Sequence, residues 1–189
     1  MKNLVIFASG NGSNFESITK ACKKNNIENT QVILLVCDKK DAFAIKRAKR
    51  LGIECLVISP KDYSSKDEYE RVIVKKLSSY NIDLICLAGY MRIVGEILLN
   101  RYKGIIINTH PSLLPSFRGK DAVEQAMKYG VKVYGITIHY VDSSLDGGQI
   151  IAQKTVPYEG NDIEYLKKKL LKVEHKLYVN TINKLLNYE

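Results

Sequence analysis

Near-continuous apolar runs alternate with stretches of helical period along most of the chain. Residues 4–8, 32–37, 55–58, 84–88 and 105–107 lack polar alternation. Strands covered on both faces of a parallel sheet read this way. Between them, residues 14–24, 42–51, 66–80 and 95–102 carry apolar positions at helical spacing. This succession predicts an α/β fold: an open, mostly parallel, Rossmann-like sheet with helices on both faces. The pattern changes further on. Residues 121–129 read as a short helix. Tyr134, Ile136, Ile138 and Tyr140 then alternate with Gly135, Thr137 and His139, and a second extended run covers 148–156 before Pro157. The short connection between these two strands predicts an antiparallel pair. A long C-terminal helix is expected over 162–187, with Ile163, Leu166, Leu170, Val173 and Leu177 as its apolar stripe.

Composition narrows this little. A chain of 189 residues with 46% hydrophobic and 26% charged residues suits one soluble globular domain. We expect a single domain over 1–189, with a nucleotide-binding half at about 1–100 and a catalytic half at about 101–189. Cys22, Cys37, Cys55 and Cys86 form no Cys-x-x-Cys pair and suit reduced thiols in the cytoplasm. The apolar run after Met1-Lys2-Asn3 is too short for a signal peptide, and no run reaches the ~20 residues of a membrane span. The net charge of +9 fits nucleic acid, anionic small substrates or mere solubility. Runs such as Lys46-Arg47-Ala48-Lys49-Arg50 read chiefly as solvated helix faces.

Chemistry concentrates at Asn108-Thr109-His110-Pro111-Ser112-Leu113-Leu114-Pro115. Here an Asn and a His share one face where the strand at 105–107 gives way to a Pro-stiffened loop. Ligands of open α/β sheets bind beyond such strand ends. Leu145-Asp146-Gly147-Gly148 offers a carboxylate partner for the imidazole. Taken singly, Asn108 reads as a turn residue, His110 as a structural imidazole and Asp146 as a turn former. Together they suit a reaction that moves a proton and stabilises an oxyanion. Ser112 lies outside any Gly-x-Ser-x-Gly elbow. The three histidines, His110, His139 and His175, have no metal-ligand spacing, so no metal is expected. A third motif, Ser9-Gly10-Asn11-Gly12-Ser13-Asn14, joins the first strand to the first helix. Phe15 stands where a dinucleotide fingerprint needs its third Gly. The loop therefore suits a mononucleotide-type phosphate, or simply a turn with a Ser or Asn N-cap.

With these three motifs in this order, the chain resembles the folate-dependent formyltransferases from residue 1 to about 178. The glycine loop narrows the resemblance to the branch that formylates glycinamide ribonucleotide in purine synthesis. The resemblance implies 10-formyltetrahydrofolate as formyl donor and Asn108, His110 and Asp146 as catalytic residues. It implies that Gly12, Ser13, Asn14 and Glu174 bind the ribonucleotide. For the folate it implies Met91, Arg92, Ile93 and Val94 on one side, with Lys66 nearby. Asp142, Ser143, Ser144, Leu145 and Asp146 would form the other side, with Asn108 between. Arg118, Lys120, Asp121 and Leu171 depart from the family pattern at the rim. Partners are expected to be small molecules, not nucleic acid or membrane, with the protein a monomer or homodimer. Two other readings are a methionyl-tRNA formyltransferase-like enzyme and a basic, non-enzymatic nucleotide- or RNA-binding module. The first should carry a further C-terminal tRNA domain, whereas this chain stops at Glu189. The second has no need of Asn108, His110 and Asp146 together.

Overall fold

The first strand sets the layering. In the computed structural model, which describes residues 1–188, β1 spans Lys2–Ala8. Its Leu4, Ile6 and Ala8 enter one core and its Val5 and Phe7 another. This is the period-2 alternation of a strand buried on both sides. Around it run α1 (Ser13–Lys23), β2 (Thr30–Cys37), α2 (Phe43–Leu51) and β3 (Glu54–Val57), then α3 (Lys66–Leu77), β4 (Leu84–Leu87) and α4 (Glu96–Arg101). They are followed by β5 (Ile106–His110), α5 (Ala122–Tyr129), β6 (Val133–Tyr140), β7 (Ile150–Pro157) and α6 (Ile163–Asn187).

The seven strands lie in the order β3-β2-β1-β4-β5-β6-β7. The first five pair in parallel, while β6 is antiparallel to both β5 and β7. The mostly parallel sheet, antiparallel pair and long final helix therefore stand as expected. Phe15, Ile18, Ala44, Val123 and Leu166 bring α1, α2, α5 and α6 onto one face. Ile73, Leu77 and Leu98 bring α3 and α4 onto the other. Each fully buried aliphatic side chain contributes roughly 1.5–3 kcal/mol. Strand order reverses between β1 and β4, which is where such sheets open a crevice at their carboxyl ends.

Three details differ from expectation. α3 ends at Leu77 rather than near residue 80, because the Ser78 and Ser79 hydroxyls donate to the Lys75 and Lys76 carbonyls and compete with helix continuation. The stripe of α6 drifts. Leu166 and Leu170 are buried as expected, but Tyr178, Thr181 and Ile182 carry the burial onward while Val173 and Leu177 are half-exposed. β5 does not stop at Ile107; it runs through Asn108 to His110.

Candidate active site

The longer β5 follows from its two neighbours. β4 pairs with it only as far as Leu87↔Asn108. β6 continues alongside, setting Asn108 opposite His139 and His110 opposite Thr137. Where β4 departs and β6 continues, a cavity of about 830 Å³ opens, within the size range of small-molecule sites. Asn108 and His110 form part of its wall.

His110 is buried and both its ring nitrogens face acceptors. Nε2 lies 2.8 Å from the Phe117 carbonyl, and Nδ1 lies 3.4 Å from Asp146 Oδ2. The Nε2 edge is thus engaged by the Pro loop, leaving the Nδ1 edge, shared with Asp146, to serve a substrate. Asp146 adopts a left-handed backbone, φ 47°, and its Oδ2 also accepts from Gly119 N at 2.8 Å. Ser112 is not free to act as a nucleophile: its hydroxyl is buried and donates to Ser116 O at 2.6 Å.

His139 is the residue that local sequence reasoning missed. Its Nδ1 lies 2.8 Å from the Tyr140 carbonyl, which can only accept, so Nδ1 carries the hydrogen. Burial pushes the His139 pKa down, which favours the neutral ring. Nε2 is then an acceptor, 3.2 Å from Asn108 Nδ2. This contact orients the Asn108 amide and leaves its second N–H for a ligand. Asp146 Oδ1 stands 3.7 Å from the same His139 nitrogen. A signal did exist: Thr137 and His139 are polar residues two apart among the buried positions 134–139 of the strand. Thr137 holds the Pro loop, donating to Ser112 O at 2.7 Å and accepting from Leu114 N at 3.0 Å.

Met91, Arg92, Ile93 and Val94, from the loop after β4, line one side of the cavity, and Asp142, Ser144, Leu145 and Asp146 line the other. Ser143 is exposed and lines neither this cavity nor its neighbour. Lys66 lines a second hollow of about 630 Å³ that shares Met91, Arg92 and Ile93 with the first. Arg92 is paired with the buried Asp38 at 2.8 Å. Of the departing rim residues, Lys120, Asp121 and Leu171 line the main cavity and Arg118 does not.

Gly12, Ser13 and Asn14 lie outside the main cavity but connect to it. Glu174 lines it from α6 and is hydrogen-bonded to the Asn14 side chain. The same carboxyl accepts from Thr109 Oγ1 at 2.8 Å. Burial pushes its pKa up, against the opposing pull of these two bonds and of His110. No Ser or Asn side chain caps α1. Its N-cap is Gly12, left-handed at φ 74°, so the first N–H groups of the helix have no side-chain acceptor. Among the described residues, no group of three or more His, Cys, Asp or Glu side chains is arranged to hold a metal ion.

The chain as a whole is similar to known proteins. The formyl transferase family model covers residues 2–182. Phosphoribosylglycinamide formyltransferase of Bacillus subtilis (strain 168) is 48% identical over 98% of this chain and 95% of its own length. The chain belongs to the phosphoribosylglycinamide formyltransferases. The Escherichia coli (strain K12) member of this family is 36% identical, over 93% of this chain and 83% of its own. The crystal structure of glycinamide ribonucleotide transformylase 1 from Geobacillus kaustophilus superposes with a TM-score of 0.95 at 48% identity, covering 99% of this chain and 100% of that one. Membership makes the chain a formyl-transferring enzyme and sets aside the non-enzymatic binding module. No described helix is long and apolar enough to cross a membrane.

Proposed function

We propose that the enzyme moves the formyl group of 10-formyltetrahydrofolate directly onto the amine of glycinamide ribonucleotide. The observation that carries this reading is the convergence of Asn108, His110 and Asp146 on one cavity. The neutral amine attacks the formyl carbon, and the carbonyl oxygen gains charge as the tetrahedral intermediate forms. Asn108, oriented by His139, donates its free amide N–H to that oxygen, and His110 donates from Nδ1. Collapse breaks the bond from carbon to N10 of the folate. The attacking nitrogen loses one proton and N10 gains one, so the exchange balances without a covalent enzyme intermediate. Asp146, 3.4 Å from His110 Nδ1, holds that edge of the ring in place as the proton moves.

In this reading the apolar walls at Met91, Ile93, Val94 and Leu145 enclose the folate ring. Arg92, Asp142 and Ser144 flank the donor, with Lys66 in the adjoining hollow. The ribonucleotide phosphate sits on the uncapped N-terminus of α1 at Gly12, Ser13 and Asn14, where helix amides favour an anion. Glu174 receives the amine or ribose between that loop and His110. The enzyme works in the cytoplasm on small molecules, and no step of the scheme calls for a metal.

The test is an assay of formyl transfer to glycinamide ribonucleotide and, in parallel, to methionyl-tRNA, before and after exhaustive chelation. Transfer to the ribonucleotide alone, unaffected by chelation, is expected. Transfer to the tRNA, or zinc-restorable loss of activity, would overturn the scheme. A Ser13→Asp variant checks the phosphate position. The carboxylate is favourable at a helix start but repels a phosphate, so the ribonucleotide KM should rise steeply with folate affinity unchanged.

A further inference from the structure

The basic run on α2 contains one residue that is not a solvated surface charge. Arg47 exposes only 18% of its side chain. Its Nε donates to the Asn11 carbonyl and its Nη2 to Asn11 Oδ1, both at 2.8 Å. Its Nη1 pairs with Glu16, and its guanidinium lies 4.9 Å over the Phe43 ring. Helix α2 grips the same loop through its backbone, with Ala44 N donating to Gly10 O at 3.0 Å. Gly12 packs against Ala44 so closely that a Cβ would come within 2.6 Å of the Ala44 Cβ.

Two consequences bear on an anion at the start of α1. The short polar side chain of Asn11 lies next to an uncapped helix start and is of the type that caps such helices. Arg47 engages both of its oxygens and so keeps them from competing for the free N–H groups. Glu16, in the first turn of α1, carries a carboxylate that would repel a phosphate. That carboxylate is surrounded by Arg47, by Arg50 at 2.7 Å and by Lys20 at 2.5 Å. The cluster of one anion and three cations leaves net positive charge beside the loop.

We propose that Arg47 is a positioning residue for the ribonucleotide phosphate. It holds Asn11 and Glu16 so that the N-terminus of α1 stays open and electrostatically receptive. This rests on the reading that the 10–14 loop receives the phosphate. Arg47 itself need not touch the substrate; its planar fork holds both Asn11 oxygens, which a lysine cannot do.

The experiment compares wild type with Arg47→Lys, Asn11→Ala and Ser13→Asp. It measures the ribonucleotide KM, folate affinity by calorimetry, and the melting temperature. Arg47→Lys keeps the charge and loses the fork, so the ribonucleotide KM should rise about tenfold with folate affinity unchanged. Asn11→Ala, at an exposed position, removes only one of the two gripped oxygens and should give a smaller rise in the same direction. An unchanged ribonucleotide KM in Arg47→Lys, while Ser13→Asp raises it, would overturn the brace and leave the phosphate reading standing. Equal losses for both substrates together with a lowered melting temperature would reduce Arg47 to a structural contact and overturn the proposal. If Ser13→Asp leaves the KM unchanged, the phosphate reading falls and the proposal with it.

Discussion

Asn108 and Glu174 show how burial selects the chemistry of a side chain. The Asn108 amide is oriented because its neighbour His139 has its pKa lowered by burial, which favours the neutral ring, and has its Nδ1 hydrogen committed to the Tyr140 carbonyl. Glu174 is the opposite case, a carboxyl whose pKa is raised because burial outweighs its bonds to Thr109 and Asn14. The sign of its effect on stability follows. A group whose pKa is higher in the folded state stabilises below its unfolded value, ~4.3 for Glu, and loses that contribution as pH rises through the folded value. Glu174→Gln removes the titration. The variant should therefore gain in melting temperature relative to wild type as pH increases from about 4 towards 8. A difference that does not change with pH would show that Glu174 is not destabilised by its burial. Gly12 needs a different treatment. Because it is left-handed and packed on Ala44, a larger residue there would disturb α2 as well as any phosphate, so Ser13 is the more selective probe.

At the scale of elements, Tyr178 ties α6 to the sheet where the site opens. Its fully buried hydroxyl lies 3.0 Å from Leu87 O and 3.2 Å from Ile107 O, bridging the last residue of β4 and the β5 residue just before Asn108. Tyr178→Phe deletes this bridge in the core and should cost about 1–3 kcal/mol. The measurement is a shift of the urea midpoint at constant slope. No shift would mean the two carbonyls are satisfied without it. The parallel strands were legible because their apolar runs are local features. So were α6 and the β6–β7 pair. The continuation of β5 to His110 was not, since it depends on antiparallel pairing with a strand about thirty residues away. That same register sets His139 opposite Asn108, which no local pattern reveals. Asn108, His110 and Asp146 were legible as types and as motifs. The engagement of His110 Nε2 by Phe117 needed the path of the Pro loop. Arg47 stood in a run that reads as solvated, and only its contacts with Asn11 and Glu16 set it apart.

Across the whole molecule, the sheet order assembles the site from distant parts of the chain. The reversal between β1 and β4 brings the glycine loop near the loop after β4, and α6 returns to place Glu174 between the glycine loop and His110. The protein carries a net charge of +9 and its site is proposed to take anionic substrates; a positive field raises the encounter rate of anions in a salt-sensitive way. With increasing ionic strength, kcat/KM for the ribonucleotide should fall while kcat holds. Salt-independent kcat/KM would make the charge a matter of solubility alone. The central claim is that formyl transfer proceeds through an oxyanion held by Asn108 beside the His110–Asp146 pair. Its most direct test is single-turnover transfer of a labelled formyl group to glycinamide ribonucleotide, with wild type and Asn108→Ala both saturated in the two substrates. The account predicts a rate constant lower by about 10²–10³ in the variant, with the folate dissociation constant unchanged. An Asn108→Ala enzyme that transfers the formyl group at the wild-type rate would contradict it.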